Sequence, residues 1–125
     1  MAITLCITLL IGMKTNAQYS YSKSRAQNWK ANNNLERATI CVRNSYLSTM
    51  KVVLFHPDTG NKYRSWDVPG PSEGCLKNDN GRFTIGSDWG IMVIHNGRQS
   101  CVKLIGEVVK SGNGYFMVEL DKVFN

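Results

Sequence analysis

IMVIHNGRQSCVKL, residues 91–104, decides how the chain is read. Asn96 and Gly97 occupy the two central places of a tight hairpin, both of which need positive φ. The apolar run before them and the mixed run after them then become paired strands, with His95 set opposite Arg98. Ser87 and Asp88 stand just upstream, and Ser100 and Cys101 follow the turn, so the region is dense in residue types that hydrolases use. The hairpin argues against that use. His95 becomes a strand-end residue beside a cation, a poor setting for a general base, and Ser100 falls on the Val102 side of its strand with no evident activating partner. A serine hydrolase also needs an oxyanion hole and an exposed nucleophile turn such as G-x-S-x-G, which the sequence does not contain. A triad is in any case defined by geometry rather than by closeness in sequence. The stretch is read as sheet, and no catalytic residue is assigned.

Working outward, short apolar runs separated by turn residues recur from Arg37 onward at the spacing of an all-β domain. Strands are expected over 38–43, 50–56, 62–68, 73–77, 82–85, 90–95, 98–104, 107–110 and 115–120. HPDTGN joins 50–56 to 62–68 as a hairpin, because Pro57 presets its φ and Asp58 and Gly60 suit a turn. KNDNG and SGNG supply residues that tolerate positive φ, and Pro69 and Pro71 mark a strand end or a sheet edge. VVLF and IMVI are apolar on both alternating sets, as strands covered on both faces are, whereas KYRSW should have one wet face. No helix longer than a turn shows convincing periodicity. The expected fold is all-β, a small antiparallel β-sandwich of about seven to nine short strands.

The start of the chain reads differently. Residues 3–13, ITLCITLLIGM, are apolar or small, and Thr15 and Ala17 stand at the small-residue positions before a cleavage point. Residues 1–17 are therefore read as a secretory signal peptide, too short to span a bilayer. They lack the usual Lys or Arg ahead of the apolar core. Residues 18–36 form a flexible basic leader, rich in Ser, Asn and charge, and residues 37–125 form the sandwich domain. The whole chain of 125 residues carries 15 Lys and Arg against 9 Asp and Glu. Removing Lys14 leaves a mature charge of +5, much of it between Lys23 and Arg37. No second long apolar run follows, so the mature chain is expected to have no transmembrane segment, and the localisation expected is secreted or periplasmic.

Three cysteines survive the cleavage: Cys41, Cys75 and Cys101. In an oxidising compartment the simplest arrangement is one disulfide with one Cys left over. Strand parity places all three opposite the main apolar set without choosing among the three pairs, and Cys75 with Cys101 is the working assignment. A zinc site from these thiols and His95 has poor spacing, since no two cysteines form a close pair. His56 and His95 both sit at strand ends, but two histidines without a carboxylate at useful spacing are a weak metal signal. No metal and no cofactor is assigned.

Aromatic residues remain. Trp66 and Trp89 are expected in the core, where large aromatics dominate sandwich packing. Trp29, in the leader, is expected to be exposed or to contact a partner. With Tyr19, Tyr21, Lys23 and Arg25 it makes a candidate ligand-binding set, in which rings stack on sugars and cations meet anionic groups. The function expected is an exported, non-enzymatic β-sandwich module whose partner is a protein or an envelope component such as a polysaccharide. Carbohydrate or anionic-polymer binding through the leader is one rival, and a small metal- or cysteine-dependent enzyme is another. Nucleic acid is not the expected partner.

Overall fold

The computed structural model describes residues 22–78, 81–109 and 114–124. The signal-peptide reading of residues 1–17 and the candidate residues Tyr19 and Tyr21 lie outside them. A helix, α1 (Lys23–Asn32), opens the described chain. Eleven strands follow: β1 (Arg37–Asn44), β2 (Met50–Phe55), β3 (Lys62–Val68), β4 (Ser72–Cys75), β5 (Lys77–Asn78), β6 (Gly81–Arg82), β7 (Thr84–Gly86), β8 (Gly90–His95), β9 (Arg98–Gln99), β10 (Lys103–Leu104) and β11 (Tyr115–Glu119). Two short helices, α2 (Ile105–Val108) and α3 (Leu120–Phe124), flank β11 in sequence.

Nine of the strands form two sheets, and β5 and β6 make a separate two-stranded ribbon. The first sheet runs β11-β1-β4, with β7 also on β1. The second runs β10-β8-β2-β3, with β9 also on β8. Ile40, Val42, Ile85, Phe116 and Val118 from the first sheet meet Met50, Val52, Leu54, Ile91 and Val93 from the second in one buried cluster. The fold is therefore a small, mostly antiparallel, all-β sandwich. Among the described strands β11 alone pairs in parallel, with Thr39 beside Tyr115 and Arg43 beside Glu119. It is the last of the described strands and follows β10 of the other sheet in sequence, so it is not joined to β1 by a two-residue hairpin that would force the two to run antiparallel.

The hairpin from Met50 to Val68 forms as its turn chemistry dictates, with Lys51 opposite Asp67 and a register shift at Leu54/Phe55. Asn96 and Gly97 take φ of 54° and 78°, and His95 pairs with Arg98. Other boundaries differ from expectation for local reasons. The strand expected over 98–104 breaks between β9 and β10, because Ser100 turns inward and its Oγ accepts the Val93 N–H at 2.9 Å. The strand expected over 107–110 is replaced by α2. There the Glu107 carboxylate reaches back to accept the Leu104 N–H at 2.9 Å, which satisfies a donor that a helix start leaves open.

The largest departure is α1, where the sequence suggested a flexible leader and no helix. Ser22 caps it by accepting the Arg25 N–H at 3.3 Å. Ala26 is buried with Val53, Met92, Val102 and Leu104, and Trp29 packs against the same cluster. Val53 and Met92 lie on the outer face of the second sheet, away from the sandwich core. The double-sided apolar character of VVLF and IMVI is thus correctly read as two covered faces, and the leader itself supplies the second cover. No helix among the described residues is long and apolar enough to cross a membrane.

The disulfide assignment also changes. Cys41 joins Cys75, so the expected Cys75–Cys101 pair does not form. Cys41 and Cys75 are direct partners in the β1–β4 ladder, a proximity that strand parity alone does not reveal. No cysteine among the described residues is a free thiol, which sets aside the expected left-over Cys.

Candidate interaction site

The residues singled out around the hairpin are occupied in holding the fold. Ser87 is buried, and its Oγ accepts the Glu36 N–H at 3.1 Å and the Trp29 Nε1–H at 3.4 Å. Ser100 is buried as well and bridges to β8. His56 and His95 stand at opposite ends of the second sheet, because β2 and β8 run antiparallel and Phe55 pairs with Gly90 while Lys51 pairs with Ile94. They do not come together. Trp89 is buried as expected, and Trp66 packs on the edge of the core.

Of the leader set, Lys23, Arg25 and Trp29 lie among the described residues. Trp29 is partly buried rather than exposed: it covers Gly106, where an added Cβ would run into the indole ring. Arg25 donates to the Val102 carbonyl and to the Glu107 carboxylate, both at 3.0 Å. Two of the expected ligand-binding residues, Arg25 and Trp29, thus take part in docking α1. Lys23 is exposed at the first turn of the helix.

What the structure does bring together lies at the other end of the sandwich, in the loop between β1 and β2. Asn44 is buried and organises it. Its Nδ2 donates to the Ser48 carbonyl at 2.9 Å and to the Val68 carbonyl at 3.0 Å, while its Oδ1 accepts the Tyr46 N–H at 2.9 Å. Gly70 closes against the same loop. A Cβ there would collide with the Tyr46 carbonyl and lie 2.9 Å from that of Ser48, so a side chain at this position has no room. Ser72 Oγ donates to the Pro69 carbonyl and ties down the facing turn.

This bracing holds two large side chains outside the protein. Leu47 is 87% exposed and Tyr46 39% exposed. Tyr46 stands edge-on to His95 with ring centroids 5.3 Å apart, His95 stands edge-on to Phe124 at 6.1 Å, and the Arg98 guanidinium lies 5.4 Å from the Phe124 centroid. Ser48 Oγ and His95 Nε2 share a hydrogen bond of 2.7 Å. The result is a continuous row, Leu47, Tyr46, His95, Phe124 and Arg98, with apolar and aromatic surface at one end and a cation at the other.

The serine and histidine have the contact with which nucleophilic catalysis begins, but no carboxylate among the described residues bonds the second ring nitrogen to orient it. Sequence reasoning missed the row, since Ser48 and His95 are 47 residues apart and only the β2–β8 pairing joins them. The one local signal is an aromatic and a leucine, Tyr46 and Leu47, placed inside a polar turn. Elsewhere, Arg43 joins Glu73 at 2.8 Å and Glu119 at 2.6 Å across three strands. Its pKa is raised, first by the hydrogen bond to Glu73 and next by the charge of Glu119. Comparison of the chain with protein-family models, with curated proteins and with solved structures finds no match.

Proposed function

We propose that the protein is an exported, non-enzymatic interaction module that engages a protein partner of the cell envelope or exterior through residues 45–49. The observation that carries this reading is the braced loop: Leu47 stands almost wholly in solvent although two Asn44 hydrogen bonds fix the backbone on either side of it and a third ties Asn44 to β3. An isolated exposed leucine needs no explanation. A leucine held out beside a tyrosine, with little conformational freedom left to lose on binding, is the arrangement that favours association. Tyr46 and Arg98 add residue types that concentrate binding energy at interfaces. The fitting partner offers an apolar pocket for Leu47 and an acidic rim for Arg98.

Export is supported by the apolar start of the sequence and by the Cys41–Cys75 disulfide, a bond that persists in oxidising compartments. The test begins with the native mass of the protein extracted gently from its own cells without reductant. A stoichiometric complex with a second protein is expected. Leu47→Asp should then weaken that complex by at least about tenfold with an unchanged circular dichroism spectrum. A complex indifferent to Leu47→Asp and Tyr46→Ala would sink the assignment of the loop.

A further inference from the structure

We propose that β3 is the surface through which two copies of this chain pair, strand beside strand and antiparallel, about a two-fold axis at Ser65. The inference concerns a different face from the loop and does not depend on it. β3 is the terminal strand of its sheet, and its outer edge has no strand partner among the described residues. Such an edge presents a row of backbone donors and acceptors that another strand can complete.

The other edges are poorly suited to pairing. β9 and β10 are two residues each and β4 is four. β11 is five residues and runs directly into α3. β3 is seven residues long, has no Pro or Gly, and is exposed at Lys62, Tyr63, Arg64, Ser65 and Asp67.

Its charge is graded along its length. Lys62 and Arg64 occupy the first half and Asp67 the second. Antiparallel self-pairing turns such a strand against itself so that each basic half meets the other copy's acidic half. Centred on Ser65, the register overlaps the whole strand: Lys62 faces Val68, Tyr63 faces Asp67, Arg64 faces Trp66, and Ser65 faces itself. No like charges are opposed. Moving the centre to Arg64 would set two guanidinium groups directly opposite, which is unfavourable.

The neighbouring surface fits the same register. Trp66, Val68, Val42, Leu76 and Glu73 line a groove of about 380 Å³ between β3 and β4. Arg64 lies on the core side of its strand, 5.6 Å from the Phe83 centroid. In the pair, Arg64 of the second copy therefore arrives over Trp66 at the mouth of this groove, on the side where Glu73 stands. Cation–π contact and charge complementarity act there together, and the two-fold axis repeats both.

Sedimentation equilibrium of the full chain without reductant tests the proposal. The wild type should show a reversible monomer–dimer equilibrium. Ser65→Lys and Ser65→Asp each place like charges across the axis and should raise the dimer dissociation constant at least about tenfold. Mixing the two variants should restore a dimer containing one of each, because Lys then faces Asp. Ser65→Cys, a smaller change at an exposed site, should cross-link between copies under mild oxidation. A wild type that stays monomeric at every concentration overturns the proposal. So do charge variants that dimerise like the wild type, a mixture no tighter than its components, or a Ser65→Cys chain that does not cross-link.

Discussion

Asn96 has a positive φ of 54° and no glycine's freedom to adopt it. Asn tolerates this region because its short polar side chain can bond locally, whereas a β-branched residue is strained there. Asn96→Val should therefore destabilise the fold by about 1 kcal/mol or more, read as a lower denaturation midpoint. The turn was legible in the sequence because its chemistry is local: two adjacent residues and the parity of their neighbours suffice. The loop site was legible only in fragments. Asn44 works through carbonyls of Ser48 and Val68, and Gly70 through its closeness to Tyr46 and Ser48. Nothing in the identity of an asparagine or a glycine announces which distant carbonyl it will meet.

At the level of elements, the strands with a strong pattern were the ones read well. β3 and β8 run from Lys62 to Val68 and from Gly90 to His95, as their composition and flanking turns indicate. The helix escaped because its contribution to packing is narrow. In KSRAQNWKAN only Ala26 and Trp29, three residues apart, reach the buried cluster, while the rest of the helix is polar apart from the exposed Ala31. A segment of that composition looks like a solvated leader unless one asks what covers the second face of β2 and β8. The tertiary contact, rather than periodicity, decides the outcome. Trp29→Ala should therefore cost about 2–3 kcal/mol, less than a fully buried tryptophan because the side chain is only partly buried. Hydrogen exchange should show α1 losing protection before the strands beneath it. Equal protection of α1 and β8 in that variant would contradict the covering role.

For the whole molecule, the Cys41–Cys75 bond joins neighbouring strands across a sequence separation of 34 residues. By loop-closure entropy, the Cys41→Ser, Cys75→Ser double variant should lose about 4 kcal/mol relative to the oxidised protein. Thermal unfolding of that variant beside the wild type, with and without reductant, measures the difference. A wild type unaffected by reductant at its transition temperature would mean that the two strands hold one another without the bond. Strand pattern gave the fold class because a sandwich is written in alternation and turns, which one sequence displays. The cysteine partners depend on which strands become neighbours in the first sheet, and alternation is silent about that.

The close approach of Gly60 to the backbone of Ser22 and Lys23, where an added Cβ would lie 3.6 Å from each, gives the molecule a direction. The turn holding Gly60 lies between β2 and β3, whereas residues 45–49 precede β2, so the two occupy opposite poles of the same sheet. Ser22 therefore sits at the pole that Leu47 faces away from. A fusion or surface attachment made at Ser22 leaves the loop pointing outward.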